Sequence, residues 1–255
     1  MAKKVLIIGE SGTGKSASMR NFTKDEVLIV NVAMKDLPFR GSYEQVYSDQ
    51  YRAIARAMKE TEKKVIVIDD AQYLMANEFM RRATEKGFEK FTEIGQNYWD
   101  LQQVINGLPD DVIVYELSHL ERDQNGNEKV KTIGKLLDEK ITVEGMFSIV
   151  LKTVVQDGKY YFQTQNSGKD TCKAPIGLFD DFLIENDLKA VDTAIREYYE
   201  IGTAPQIESM EVVEEPVEEE PKTLAEEMAD VHNNEPEAVE TPEKPKRRRR
   251  KTAEE

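Results

Sequence analysis

The sequence predicts an α/β fold built on a mostly parallel sheet, with helices on both faces and an antiparallel β-hairpin at one edge. Along residues 1–202, short apolar runs typical of buried strands alternate with segments of helical periodicity. A glycine-rich loop joins the first strand to the first helix. Later, Asp157 and Gly158 form a two-residue turn signal between two strands, which indicates the hairpin.

The elements follow from local pattern. The helix at 49–60 has Ser48 as a candidate N-cap and places Tyr51, Ile54 and Met58 on one face. The helix that begins near residue 97 stops at Gly107. We predict strands at 4–8, 26–31, 43–47, 64–69, 111–119, 146–155 and 160–165. We predict helices at 15–21, 49–60, 71–86, 97–106 and 187–200.

The loop after the first strand matches every fixed position of the phosphate-binding P-loop, G-x-x-x-x-G-K-[ST]. Its residues are Gly9, Glu10, Ser11, Gly12, Thr13, Gly14, Lys15 and Ser16. We expect the amides of 12–16 to surround a β-phosphate, aided by the positive end of the following helix. Lys15 would reach the β- and γ-phosphates, and Ser16 would supply a hydroxyl to Mg²⁺. The alternative is a glycine-rich turn that binds nothing.

A second buried strand, at 64–69, ends in two carboxylates, as a Walker B element does. We expect Asp69 to hold Mg²⁺, directly or through water. Asp70 is a candidate catalytic residue that polarises the attacking water; the alternative is an N-cap for the helix that follows. The next core strand ends at His119, near the same edge of the sheet. His119 is therefore a candidate γ-phosphate sensor, or else an ordinary strand-end histidine.

Two loops are candidate contacts for single-stranded DNA. Residues 81–91 interleave bases with aromatic side chains, and residues 121–131 form a polar hairpin or a mobile loop. The alternatives are an amphipathic helix with a core phenylalanine and a solvated turn. Lys169, which follows Gly168, could act on a nucleotide held by a neighbouring subunit, as an arginine finger does, or be a surface lysine.

Charge and aromatic content differ between the two parts of the chain. Residues 1–202 carry 33 acids and 27 bases, whereas residues 203–255 carry 16 acids, 8 bases and no aromatic residue. Such a segment cannot bury enough apolar surface to order itself, so we predict a disordered tail. Its acidic part, 203–243, precedes a basic part, 244–255. The basic run could bind nucleic acid, fold back on the acidic segment, solubilise the chain or act as an import signal.

Cysteine and histidine usage excludes some classes. Cys172 is the only cysteine, and His119 and His232 are the only histidines, so neither an intramolecular disulfide nor a zinc site is expected. We find no signal peptide and no apolar stretch long enough to span a membrane, so we expect a cytoplasmic protein.

The order of these motifs resembles the small RecA-like P-loop ATPases of bacteriophages, which are related to Sak-type single-strand annealing ATPases. The resemblance covers about residues 1–200 and rests on the P-loop, Asp69–Asp70, the strand ending at His119, the hairpin and Gly168–Asp170. It implies a RecA-like core, ATP and Mg²⁺ as cofactors, single-stranded DNA as partner, and a bacterial host cytoplasm. Asn31 ends the second strand without a catalytic glutamate, so hydrolysis is either slow or dependent on Asp70. The resemblance does not explain the tail.

We therefore expect an oligomeric ATPase that handles single-stranded DNA in recombination or replication. One alternative is a nucleotide-switched adaptor that recruits a replication or recombination protein through the acidic tail. Another is a small-substrate kinase, although residues 120–145 contain only Arg122 where a kinase lid carries several arginines. An AAA+ loader is disfavoured because no helical lid domain follows the core.

Overall fold

The computed structural model describes residues 1–134 and 136–202. The predicted acidic and basic segments, 203–243 and 244–255, lie outside the described residues. The strands are β1 (Lys3–Gly9), β2 (Val27–Asn31), β3 (Glu44–Tyr47), β4 (Val65–Asp69), β5 (Ile113–Arg122), β6 (Glu128–Val130), β7 (Ile149–Gln156), β8 (Lys159–Gln163) and β9 (Leu183–Glu185). The α-helices are α1 (Tyr51–Glu60), α2 (Gln72–Arg81), α3 (Glu89–Asn106) and α4 (Leu188–Tyr198). Shorter helical turns are Ser16–Asn21 and Val143–Met146, both 3-10, and Leu136–Ile141, a π-helix.

One sheet organises these residues, in the order β3-β2-β4-β5-β1-β7-β8-β9, with β6 paired to β5. The strands from β3 to β7 run parallel, and β7, β8 and β9 are antiparallel at one edge. Both faces are covered because side chains alternate along each strand: Val5 and Ile7 pack in one apolar cluster, Leu6 and Ile8 in another. The predicted fold class, a mostly parallel α/β sheet with an edge hairpin, is confirmed.

The helices divide between the two faces. Buried residues of α4 and of the turn Ser16–Asn21 pack on one side, and those of α1, α2 and α3 pack on the other. Asp187 caps α4 by accepting hydrogen bonds from the amides of Lys189 and Ala190. The central position of β1, between β5 and β7, puts the P-loop in the middle of the carboxyl edge.

Several predicted boundaries were wrong. α2 ends at Arg81 rather than 86, and α3 begins at Glu89, eight residues before the predicted start. The helix after the P-loop is a six-residue 3-10 turn, so its dipole aids a bound anion less than a long α-helix would. Gln50, not Ser48, precedes α1; the Ser48 hydroxyl accepts a hydrogen bond from the Gln50 amide.

The described residues contain no helix that is both long and apolar enough to cross a bilayer.

Candidate functional site

The P-loop has the backbone shape that its glycines were expected to provide. Gly12 and Gly14 have φ angles of +78° and +98°, which residues with side chains rarely adopt. The loop is braced against β7, because the hydroxyl oxygens of Thr13 and Thr153 lie 2.5 Å apart. It borders a cavity of about 360 Å³. This cavity, called here the P-loop pocket, is lined by Ser11, Gly12, Gly14, Lys15, Ser16, Ala17, Lys35, Asp36, Pro38, Asp69, Asp70, His119 and Tyr160.

Lys15 folds back over the P-loop. Its Nζ donates to the carbonyl oxygens of Gly9 at 3.0 Å and Glu10 at 2.8 Å. Burial lowers the pKa of the Lys15 ammonium to about 8, against the opposing effects of Asp70 and Asp69. The charge is held inside the pocket with backbone carbonyls, rather than a carboxylate, as its hydrogen-bond partners. An anion entering the pocket would be a stronger partner for this charge.

Ser16 and Asp69 meet at the same place. The Ser16 hydroxyl donates to Asp69 Oδ1 at 2.8 Å, which joins the P-loop to the end of β4. Burial, and after it the charge of Asp70, raises the pKa of Asp69 to about 6. A hydroxyl and a carboxylate are oxygen ligands suited to Mg²⁺, which proteins bind through few side chains together with substrate phosphates. Within the described residues, no cluster of three or more acidic, histidine or cysteine side chains could hold a metal ion.

Asp70 has other partners. Its carboxylate forms an ion pair with Lys35 and lies 3.5 Å from His119 Nε2. Burial acts to raise the pKa of Asp70, but hydrogen bonds from His119 and Lys35 leave it below its ordinary value. Burial likewise acts to lower the pKa of Lys35, and the contact with Asp70 raises it instead. We call Lys15, Ser16 and Asp69 the magnesium group, and Lys35, Asp70 and His119 the Asp70 group.

The backbone around the Asp70 group is strained. Asp70 and Met34, the residue before Lys35, have φ angles of +58° and +54°. Non-glycine residues seldom occupy this region, and such strain is concentrated at functional sites. The alternative role of Asp70 as an N-cap is not found, since α2 follows Ala71 and no side chain caps it.

His119 lies across from the P-loop. It pairs in register with Gly9 between β5 and β1. The backbone amide of His119 donates a hydrogen bond to Gln72 Oε1 at 3.1 Å. The Tyr73 ring lies edge-on to the imidazole. The topology thus brings Asp69, Asp70 and His119 to one pocket, as parallel strand order predicted.

Lys35 was missed by sequence reasoning. Asn31 positions it: the Asn31 side chain donates to the Lys35 carbonyl at 2.6 Å and accepts from the Lys35 amide at 3.2 Å. The available signal was the strand order, because the carboxyl end of β2 lies beside that of β4, where Asn31 and Asp69 are register partners. A lysine shortly after Asn31 is therefore within reach of the Walker B carboxylates.

Lys169 does not line the P-loop pocket of its own chain. It is exposed on a loop against β6, where the Glu128 amide donates to the Lys169 carbonyl at 2.7 Å. The buried Asp170 carboxylate holds this loop through Ser167, Gln163 and Lys152. A role of Lys169 towards a neighbouring subunit remains a prediction.

The two candidate DNA loops differ. In 81–91, Arg81 pairs with Asp49, Arg82 pairs with three glutamates, and Lys90 donates to backbone carbonyls. Lys86 is exposed, and Phe88 is 88% exposed. The hairpin β5–β6 instead contacts the P-loop, because Arg122 pairs with Glu10 at 2.8 Å as well as with Glu128 at 2.9 Å.

The comparisons with known proteins agree with this geometry. Residues 5–104 match the model of the ATPase family associated with various cellular activities, AAA. The matched part includes the P-loop and the β4 carboxylates and ends before β5. No curated protein matches the chain. The match and the pocket together support a P-loop ATPase domain that binds nucleotide.

Proposed function

We propose that this protein is a Mg²⁺-dependent ATPase that acts on single-stranded DNA in phage recombination or replication. The observation that carries the enzymatic part is the meeting of Lys15, Ser16 and Asp69 in one pocket. The phage context and the DNA substrate derive from the resemblance of the motif order to RecA-like phage ATPases.

The magnesium group would bind the triphosphate. Lys15 Nζ would exchange two backbone carbonyls for phosphate oxygens, which are charged acceptors and give stronger hydrogen bonds. Ser16 and Asp69 would hold Mg²⁺, which supplies neutralisation of phosphate charge when bound. Asp69, whose pKa is about 6, is largely ionised at pH 7 and available as a ligand.

The Asp70 group would position the attacking water and report the γ-phosphate. Asp70 Oδ1 faces His119, so a water held between them and the phosphate has both an acceptor and a histidine beside it. Because hydrogen bonds from His119 and Lys35 hold the pKa of Asp70 below its ordinary value, we expect Asp70 to orient water rather than to take its proton in the ground state. Slow turnover follows from a weak base.

The β5–β6 hairpin would carry the nucleotide state to DNA. Arg122 joins Glu10 of the P-loop to Glu128, and Glu128 pairs with Lys152, which also contacts Asp170 at 3.2 Å. This series of ion pairs runs from the phosphate loop to the loop that presents Lys169. We propose DNA contacts at the exposed Lys86, Phe88 and Lys131, and assembly of several copies in which Lys169 reaches a neighbour's nucleotide.

The DNA part is tested by fluorescence anisotropy with a labelled oligo-dT strand, with and without ATP and Mg²⁺. We expect tighter binding with ATP. This binding should be lost in Phe88→Ala and retained in Phe182→Ala, a control at a half-exposed ring elsewhere. Absence of binding under every nucleotide condition would remove the DNA part and leave the ATPase part standing.

One observation favours a nucleotide-switched adaptor as the second candidate. The contacts of Asp70 with His119 and Lys35 lower its pKa and leave it a poor general base, which suits a protein that holds ATP without sustained turnover. Multiple-turnover phosphate release separates the two, since a switch releases no more than about one phosphate per protein.

A further inference from the structure

A second cavity adjoins the P-loop pocket on the side of the edge hairpin. It has a volume of about 570 Å³, within the range of small-molecule sites. We call it the β8 groove. It is lined by Ala17, Arg20, Lys159, Tyr160, Tyr161, Glu185 and Asn186. Ala17 and Tyr160 line both cavities, so a ligand whose phosphates lie in the P-loop pocket has the β8 groove as its next compartment.

Tyr160 offers a face for stacking at the boundary between the β8 groove and the P-loop pocket. The side chain is 47% exposed, although the ring packs against the P-loop: a Cβ built on Gly14 would lie 3.0 Å from Tyr160 Cδ1. A half-exposed aromatic ring anchored beside a phosphate loop is suited to stack on a planar base, since every base has a π-face. A side chain at Gly14 would crowd this ring, and the positive φ of Gly14 also favours glycine.

Asn186 supplies polar groups next to that ring. The residue is 2% exposed, and its Nδ2 is buried without a hydrogen-bond partner. Its Oδ1 lies 3.1 Å from the Cβ position of Gly14, so the amide and the Tyr160 ring lie side by side. The backbone of Asn186 is held in place by two hydrogen bonds. Its backbone N–H donates to the Tyr160 carbonyl, and Arg20 Nη1 donates to the Asn186 backbone carbonyl at 2.6 Å. An unpaired buried amide is costly unless a ligand pairs with it.

The chemistry of the amide selects one base. A carboxamide presents a donor and an acceptor together, which matches the N7 acceptor and N6 amine of adenine. Guanine offers two acceptors, O6 and N7, along the corresponding edge. We propose that the β8 groove binds the adenine base of the nucleotide, with Tyr160 stacking on the ring and Asn186 reading its edge. This rests on the proposed function, because the phosphates must be held at Lys15.

Titration calorimetry of the full chain with Mg²⁺ tests the proposal, using ATP, GTP and inorganic tripolyphosphate as ligands. We expect wild-type protein to prefer ATP to GTP by roughly tenfold, the ratio that about 1.4 kcal/mol gives. Tyr160→Ala should weaken the binding of ATP by roughly tenfold and leave the binding of tripolyphosphate unchanged. Tyr160→Phe, which keeps the ring, and Tyr198→Ala, a control on α4, should bind ATP as the wild type does.

Asn186→Leu should lower the affinity for ATP to that for GTP. Binding of tripolyphosphate, which also reports an intact fold, should be retained. Equal wild-type affinity for ATP, GTP and tripolyphosphate would overturn the β8 groove proposal and leave the P-loop assignment intact. The β8 groove proposal would also be overturned if Tyr160→Ala bound ATP normally, or if it lost affinity for tripolyphosphate as strongly as for ATP. Wild-type protein that binds none of the three ligands would overturn both proposals.

Discussion

In the magnesium group, the charges of Lys15 and Asp69 are buried with backbone carbonyls and a hydroxyl as their hydrogen-bond partners. In the Asp70 group, which lines the same pocket, Lys35 and Asp70 pair with each other. The pKa values separate the two groups. Lys15 and Asp69 shift towards their neutral forms, to about 8 and about 6, whereas Lys35 and Asp70 shift towards their charged forms.

The difference indicates which charges await a ligand. A group whose pKa has moved towards neutrality pays for burial without full compensation, and a ligand of opposite charge supplies what is missing. A group whose charge is already compensated by a neighbour gains less from a ligand. Such a group is better suited to orient a bound molecule than to bind it tightly. We therefore assign binding of Mg²⁺ and phosphate to the magnesium group and orientation of water to the Asp70 group.

The largest effect is expected from Lys15→Ala. Removing the one pocket cation held by carbonyls should weaken ATP binding by about 100-fold, because charged hydrogen bonds to phosphate are lost. Titration calorimetry measures this directly. Lys59→Ala, at an exposed lysine of α1, is the control and should bind ATP normally. Unchanged affinity in Lys15→Ala would break the contrast between the two groups at its strongest point.

The second effect concerns pH and Asp69. Its folded pKa, about 6, lies above the unfolded value, so the folded protein binds the proton more tightly. Stability of the ligand-free protein should therefore decrease as the pH rises from about 4 to about 6 and remain lower above that. Asp69→Asn removes this loss and should stabilise the protein at pH 7 by about 2 kcal/mol, but not at pH 4.

Urea unfolding at both pH values checks the Asp69 prediction, with Asp25→Asn as the exposed control. A variant no more stable than wild type at pH 7 would mean that the Asp69 charge is already compensated, contrary to the comparison.

A smaller effect is expected from Lys35→Met. The substitution leaves Asp70 buried with His119 beside it, so the free energy of unfolding at pH 7 should fall by about 1 kcal/mol. In an Asp70→Asn background the same substitution should cost little, because the pair no longer exists. Lys24→Met provides a matched surface control. Additive costs in the double variant would show that Lys35 does not compensate Asp70.

The smallest effect on nucleotide binding is expected from Arg122→Gln. Its pair with Glu10 is exposed, and such pairs contribute little, so ATP affinity should change less than about twofold. Stimulation of ATP turnover by single-stranded DNA should fall by about twofold if the hairpin transmits the nucleotide state. Arg52→Gln, on α1, should leave both quantities unchanged. A large loss of ATP affinity in Arg122→Gln would instead place Arg122 within the binding group.

Local pattern was sufficient for the sheet, the P-loop and the meeting of Asp69, Asp70 and His119, because strand ends in a parallel sheet share an edge. Local pattern was not sufficient to predict which charged side chains form ion pairs. The bases of 81–91 were predicted as candidate contacts for DNA, yet the folding of 78–93 pairs Arg82 with three carboxylates. Tyr160 of β8 and Asn186, the residue after β9, are distant in sequence from the P-loop, and no local periodicity reveals such contacts.

The central claim is that ATP bound by the magnesium group is hydrolysed beside the Asp70 group. Phosphate release under multiple-turnover conditions with Mg²⁺, with and without oligo-dT, tests it most directly. The account predicts sustained release by the wild type, faster with DNA, and release at background by Lys15→Ala. A wild-type protein that binds ATP but releases no more than one phosphate per chain, with or without DNA, would contradict it.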